Sequence, residues 1–229
     1  MNFYAHALVA ERLHADADFI LGAMLPDLAA MAGLRALGAD SVPLRQGILL
    51  HHECDQEFHS CTEFVDLTRD GARDLQSLGV RRGPSRAAAH VGVELLLDGW
   101  LVEKQPPSAM YRLAVARAAL CTDTVRWRTP PTDAWQRMCA RLTSSEATNG
   151  YRDLDEVARR TTRTLARRPR LALAEREFAP LARWLDGVRA RVAHHGPALL
   201  DAVTRLRSSR SGTPGSPLHC ASPDRERST

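Results

Sequence analysis

Residues 87–102 read AAAHVGVELLLDGWLV. Every side chain in this stretch is apolar or small except His90, Glu94 and Asp98. In an α-helix, residues four apart stack on one face, so the stretch predicts a helix with a single polar stripe. A helix that is apolar on every other side belongs in the interior. Charge carried there is costly unless it is paired or bound to a metal. Upstream, HHECDQEFH at residues 51–59 repeats the spacing with His51, Asp55 and His59. Two ladders of imidazole and carboxylate on two core helices predict an all-α protein with a metal centre between them.

A helical wheel at about 100° per residue sharpens the first ladder. His51 and Asp55 share the apolar sector of Leu44, Ile48, Phe58 and Val65, with His59 at its edge. His52, Glu53, Gln56 and Glu57 turn towards solvent. Packed helices lie about 8–10 Å apart, so side chains from both ladders can meet at one or two ions. The plainer reading of His51 and Asp55 is a buried hydrogen-bonded pair. Two triplets on separate core-facing helices favour ligation. His59 and Asp98 stand at the ends of their stripes, and Asp98 has the alternative role of orienting a ligating histidine. His6 and Asp27 join the set on the strength of the other residues. The candidate metal ligands are thus His6, Asp27, His51, Asp55, His59, His90, Glu94 and Asp98. Such donors suit manganese, zinc or iron better than magnesium.

The 229 residues are 44% hydrophobic, enough for one sizeable core. Only 5% are aromatic, so Leu, Ala and Val carry that core, which favours helices over strands. A net charge of +4 permits an acidic partner without demanding one. The five cysteines form no C-x-x-C pair and read as reduced thiols. The start MNFYAHALVAERLHADADF lacks a signal-peptide core, and no apolar run reaches transmembrane length. The expectation is a cytoplasmic protein without a membrane span.

Pattern and punctuation predict helices over 4–14, 43–67, 87–104, 109–121, 133–141, 154–166 and 173–193, the last extending towards Leu206. Pro26 suits a first helical turn, which places Asp27 at a loop-to-helix junction. Ser85 is a candidate cap for the buried helix and Thr132 or Asp133 for a later one. No stretch alternates like a strand. Residues 1–207 read as one helical domain, and 208–229, rich in Ser, Pro and Gly, as a disordered tail.

Several segments resemble the acyl carrier protein phosphodiesterases. They are Met1-Asn2-Phe3-Tyr4-Ala5-His6, the Gly22…Asp27 segment, Gly47-Ile48 followed by His51…Asp55, and YRDLDEVARRTTRTLARRPRL at 151–171. The similarity spans roughly residues 1–171, with poor agreement over 62–85 and 104–149. That resemblance implies an HD-like helical metal phosphohydrolase that uses manganese and releases 4′-phosphopantetheine from holo acyl carrier protein. The family carries Asp-x-x-x-Asp-His on its second metal helix, whereas Glu94, Asp98 and Gly99 stand here, so the histidine is missing. His90, one turn earlier, is its candidate replacement. The resulting His51-x-x-x-Asp55-x-x-x-His59 and His90-x-x-x-Glu94-x-x-x-Asp98 ladders are also similar to the zinc-dependent phospholipase C superfamily, in which His-x-x-x-Asp and His-x-x-x-Glu helices, an N-terminal His (here His6) and an upstream Asp (here Asp27) hold zinc.

Both resemblances imply phosphodiester hydrolysis. Asp55 and Glu94 are the candidate catalytic carboxylates, and Arg152, in the family-like YRD motif, is the candidate phosphate holder. Arg159–Arg170 reads as the solvated face of a helix or as a dock for the acidic acyl carrier protein. Few aromatics accompany these arginines, which argues against nucleic acid. The competing expectation is a non-catalytic helical binding domain that has lost its metal, supported by Gly99 in place of the histidine.

Overall fold

The computed structural model describes residues 1–144 and 146–210. The fold is mostly helical, as the composition predicts: α1 (Phe3–Leu13), α2 (Ala17–Met31), α3 (Val42–Ser60), α4 (Thr62–Ser77), α5 (Arg82–Lys104), α6 (Ala109–Arg117), α7 (Asp133–Leu142), α8 (Glu146–Asn149), α9 (Leu154–Ala166) and α10 (Phe178–Arg210). Two short strands, β1 (Ala36–Ala39) and β2 (Val125–Trp127), pair antiparallel. They correct the expectation of no strand. Runs of four and three residues are too short to display an alternating pattern.

Residues 87–102 lie within α5, which packs against α1, α4, α9 and α10. Its second half, residues 95–102, is buried nearly all round as the sequence suggested, whereas its first half is open on one face. Val93, Leu97, Asp98, Gly99 and Leu101 are buried, whereas Ala87, His90, Val91 and Glu94 lie at a partly open face. Trp184 of α10 lies over Gly71 of α4 and Gly92 of α5, where an added Cβ would come within 2.6 and 2.7 Å of its ring. The buried apolar residues form one connected core from Met1 to Val203.

The single helix expected over 43–67 is broken. Cys61 takes an extended conformation (φ −68°, ψ 144°) between α3 and α4. Phe58 and Phe64 then meet at 4.5 Å across the break. Apolar residues flank the turn on both sides, so periodicity alone ran through it, and Val65, assigned to the apolar face, is exposed. Pro26 sits inside α2 and not in its first turn, so Asp27 is a mid-helix residue and not a junction. Ser85 is no cap: it lies inside α5, buried, with its hydroxyl donating to the Arg82 carbonyl. Thr132 does cap α7, accepting from the Ala134 N–H. The helix expected to 121 stops at Arg117, and the one expected from 173 starts at Phe178. The latter continues to Arg210, past the expected boundary at 207, and the remainder of the expected tail lies outside the described residues. Among the described residues, no helix is long and apolar enough to cross a membrane.

Candidate metal centre

Two glycines set the geometry of the site. At Gly22 of α2 an added Cβ would sit 2.2 Å from the Leu44 carbonyl oxygen. At Gly47 of α3 it would sit 2.1 Å from that of Phe19. The two helices therefore touch backbone to backbone, an approach only glycine permits. One turn beyond Gly47, His51 comes against α2 and its Nδ1 lies 2.9 Å from the Ala23 carbonyl oxygen. A carbonyl can only accept, so Nδ1 carries the proton and Nε2 presents a lone pair. Such a backbone partner is what fixes the tautomer of a metal-binding histidine.

That lone pair has no proton to meet. His51 Nε2 lies 3.5 Å from Asp55 Oδ2, acceptor against acceptor. Burial first, and the neighbouring His6 second, push the His51 pKa down to about 3, keeping the ring neutral. The His6 ring, wholly buried on α1, stacks on His51 at 3.9 Å. Its Nε2 is 3.1 Å from Asp55 Oδ1 and 4.0 Å from Asp27 Oδ2. Asp27 Oδ2 and His6 Nδ1 are buried without a hydrogen-bond partner. Burial raises the Asp27 pKa well above the usual carboxylate range. His6, Asp27 and His51 can each offer a ligand atom within 4.8 Å of the others. Three helices thus bring two imidazoles and a carboxylate together with two buried atoms, His6 Nδ1 and Asp27 Oδ2, left without a partner, an arrangement that is costly unless something else meets them.

A second cluster lies beside the first. His59 Nε2 of α3 is 2.9 Å from Glu94 Oε1 of α5, and His90 Nε2 is 3.3 Å from the same oxygen. These three also offer ligand atoms within 4.8 Å of one another. The His59 and His90 side chains are 34% and 43% exposed and Glu94 15%, so this cluster opens to solvent. Phe64 packs on both imidazoles, at 5.2 and 5.0 Å between ring centres.

One positive charge already stands between the clusters. The Met1 α-ammonium lies 2.8 Å from Asp55 Oδ1 and 3.2 Å from Glu94 Oε1. Burial would lower its pKa, but Glu94 and Asp55 outweigh burial and raise it. Burial likewise acts to raise Asp55, yet the His6 hydrogen bond and the ammonium hold it below the usual range. Glu94 is lowered against burial by the ammonium and by His59 and His90. The ammonium thus pairs with both carboxylates, which lie between the two histidine clusters.

Seven of the eight expected ligands are therefore gathered: His6, Asp27, His51, Asp55, His59, His90 and Glu94. Asp98 is held apart. It is wholly buried, and its oxygens accept from the Tyr4 and Ala5 N–H groups and from Asn2 Nδ2. The first turn of α1 has no side-chain cap of its own, so Asp98 supplies one from α5 and fixes the helix that carries His6. Burial raises its pKa to about 7. Arg152 is also elsewhere. Exposed, it donates to the Val102 carbonyl near the end of α5.

Gly99 has its own explanation. A Cβ there would lie 2.4 Å from the Tyr151 carbonyl oxygen. The position faces the Tyr151 segment, and no histidine fits it while that contact stands. The glycine is a packing requirement and does not speak for a lost metal site. Sequence reasoning missed the Met1 ammonium and the Gly22–Gly47 crossing. The crossing had a signal in the sequence, because both glycines sit a turn or so before a candidate ligand.

No family model, curated protein or solved structure matches this chain.

Proposed function

We propose that the chain is a metal-dependent phosphodiester hydrolase. The observation that supports this reading best is the gathering of His6, Asp27 and His51, whose ligand atoms lie within 4.8 Å of one another, with His6 Nδ1 and Asp27 Oδ2 buried and without a hydrogen-bond partner. His6, Asp27 and His51 would hold one divalent cation, His59, His90 and Glu94 a second, and Asp55 lies where it can serve both. Bound divalent ions would make water a stronger acid and neutralise charge on phosphoryl oxygens. The protein's own part is to orient and to exclude. The Ala23 carbonyl fixes the His51 tautomer, and Asp98 anchors α1. Asp55, between the clusters, would take a proton from a water held there. The open face at His59 and His90 is the side from which substrate reaches the site.

For the substrate, the first resemblance implies holo acyl carrier protein and release of 4′-phosphopantetheine. A specific observation favours the second resemblance. The ligands that gather are those of the phospholipase C-like pattern, His6, Asp27, His51, Asp55, His90 and Glu94, whereas Asp98 is engaged elsewhere. Manganese, zinc and iron all suit two-histidine, carboxylate-rich sites.

Elemental analysis of protein purified without chelators tests the reading. The expected result is one to two equivalents of manganese, zinc or iron, lost in a His51→Ala/His59→Ala variant. Metal-free parent protein that also fails to cleave bis(p-nitrophenyl) phosphate after manganese or zinc is added would sink it. For the substrate, loss of the phosphopantetheine mass from holo acyl carrier protein supports the first resemblance. Turnover of a phospholipid diester with that mass unchanged supports the second.

A further inference from the structure

A cleft of about 710 Å³ lies on the other side of the residues that adjoin the metal centre. Its wall includes Asn2, next to Met1, and Leu95, next to Glu94, but none of the seven gathered ligands. Two arginine ladders line it. Arg137 and Arg141 are four apart on α7, and Arg159 and Arg163 are four apart on α9, with Arg160 beside them and Arg167 at the helix's C-terminal cap. Side chains so spaced share one helix face, so both helices present guanidinium groups to the same space.

The plain explanation is an internally neutralised surface, and it accounts for part of the set. Arg159, Arg160 and Arg163 all reach the single carboxylate of Glu156, at 2.5, 2.8 and 3.0 Å. Arg160 also stacks over the Tyr151 ring at 4.3 Å. Arg167 donates to the Ala30 and Met31 carbonyls at the end of α2. The guanidinium groups of Arg137 and Arg141 remain, with no ion pair or hydrogen bond among the described residues. Among the described residues that line the cleft, six arginines face two carboxylates, Asp153 and Glu156. Like charges gathered in one concavity repel, and an anion relieves that repulsion. Guanidinium forks match phosphate oxygens. The remaining lining includes Leu95, Met138 and Leu142, and the volume is that of a small-molecule site.

We infer that this cleft binds an organic phosphate, its phosphate held by Arg137 and Arg141 and its apolar portion against Leu95, Met138 and Leu142. The site is separate from the metal centre and does not rest on the hydrolase reading. Isothermal titration of the full chain in chelator, with hexyl phosphate as probe, tests it. The expected result is saturable one-to-one binding, about tenfold tighter than inorganic phosphate. Arg137→Ala/Arg141→Ala should weaken it at least tenfold, while His51→Ala/His59→Ala leaves it unchanged. Both arginines are exposed, and unchanged circular dichroism would establish that the variant folds. Non-saturable binding, an unaffected arginine variant, or equal affinity for hexyl and inorganic phosphate would each overturn the proposal. So would binding only of an acidic protein, with no uptake of hexyl phosphate.

Discussion

The two histidine clusters use the same side chains but occupy different surroundings. Around His51 the side chains are 0–5% exposed for the two imidazoles, and the tautomer is set by a backbone carbonyl. Around His90 the imidazoles are one-third or more exposed and are held by Glu94 and by the Phe64 ring. The first cluster depends on the crossing of α2 and α3. The second depends on α3 and α5 and keeps a path to solvent. The difference teaches what burial would do under the proposed function: the closed inner cluster would retain a cation, and the open outer one would admit a substrate.

The largest expected effect comes from breaking the scaffold under the inner cluster. Gly47→Ala puts a methyl 2.1 Å from the Phe19 carbonyl oxygen and 2.7 Å from the Ala23 N–H nitrogen. Neither is a flexible side-chain end, so the helices must part. Overpacking of this kind costs about 3 kcal/mol, which denaturant unfolding would measure. Metal content should fall with it, since the Ala23–His51 contact depends on the crossing. An unchanged unfolding midpoint would show that the crossing does not organise the site.

Next in size is a direct contrast between the clusters. His51→Ala should weaken retained metal on the order of 100-fold or more, because ligand and supporting contact go together. His59→Ala should cost less, on the order of tenfold, because water can replace an exposed ligand. Competition against a chromogenic chelator would give both numbers. Equal losses would mean that burial does not separate the two clusters.

The ladders were legible in the sequence because helical spacing is a local property. His51, Asp55, His90 and Glu94 could be placed on faces without knowing any partner. What the sequence could not show was where each stripe meets the surface. The ladder on α5 runs from half-exposed His90 to wholly buried Asp98, a gradient set by how α1 and α9 cover one end of the helix. The break at Cys61 was hidden because the apolar stripe resumes directly after it. Asp98 looked like a ligand because a buried carboxylate needs partners, but those partners are the N–H groups of α1, brought by tertiary packing. Gly99 looked like a loss for the same reason: its neighbour, Tyr151, is distant in sequence.

A remote pair supplies a control of intermediate size. Glu177, wholly buried, accepts from Arg81 at 2.8–2.9 Å and from the Ala174 N–H at 2.7 Å. The Arg81 hydrogen bonds, foremost, pull its pKa down to about 2, below the ordinary 4.5. A depressed folded pKa contributes stability above the unfolded value and loses it as pH falls through the folded one. Glu177→Ala should therefore cost about 2 kcal/mol near neutral pH, and its deficit should shrink between about pH 4.5 and pH 2. Metal occupancy of both clusters should be unchanged. A deficit that does not vary with pH would place the cost in packing and not in charge.

The smallest effect probes the seam between the metal centre and the arginine-lined cleft. The Tyr151 hydroxyl accepts from Asn2 Nδ2 at 2.9 Å, and the same amide donates to Asp98 at 2.9 Å. Tyr151→Phe removes one acceptor from a donor that keeps the other. The ring, its contact with Phe3 at 5.9 Å and its stacking under Arg160 are retained. Loss of a single neutral hydrogen bond costs about 1 kcal/mol, read as a small shift in the unfolding midpoint. Asp98 still caps α1, so His6 should hold its place and metal content should match the parent. If Tyr151→Phe instead strips metal from the inner cluster, α1 is positioned through Asn2 and Tyr151, and the cleft and the metal centre form one coupled site.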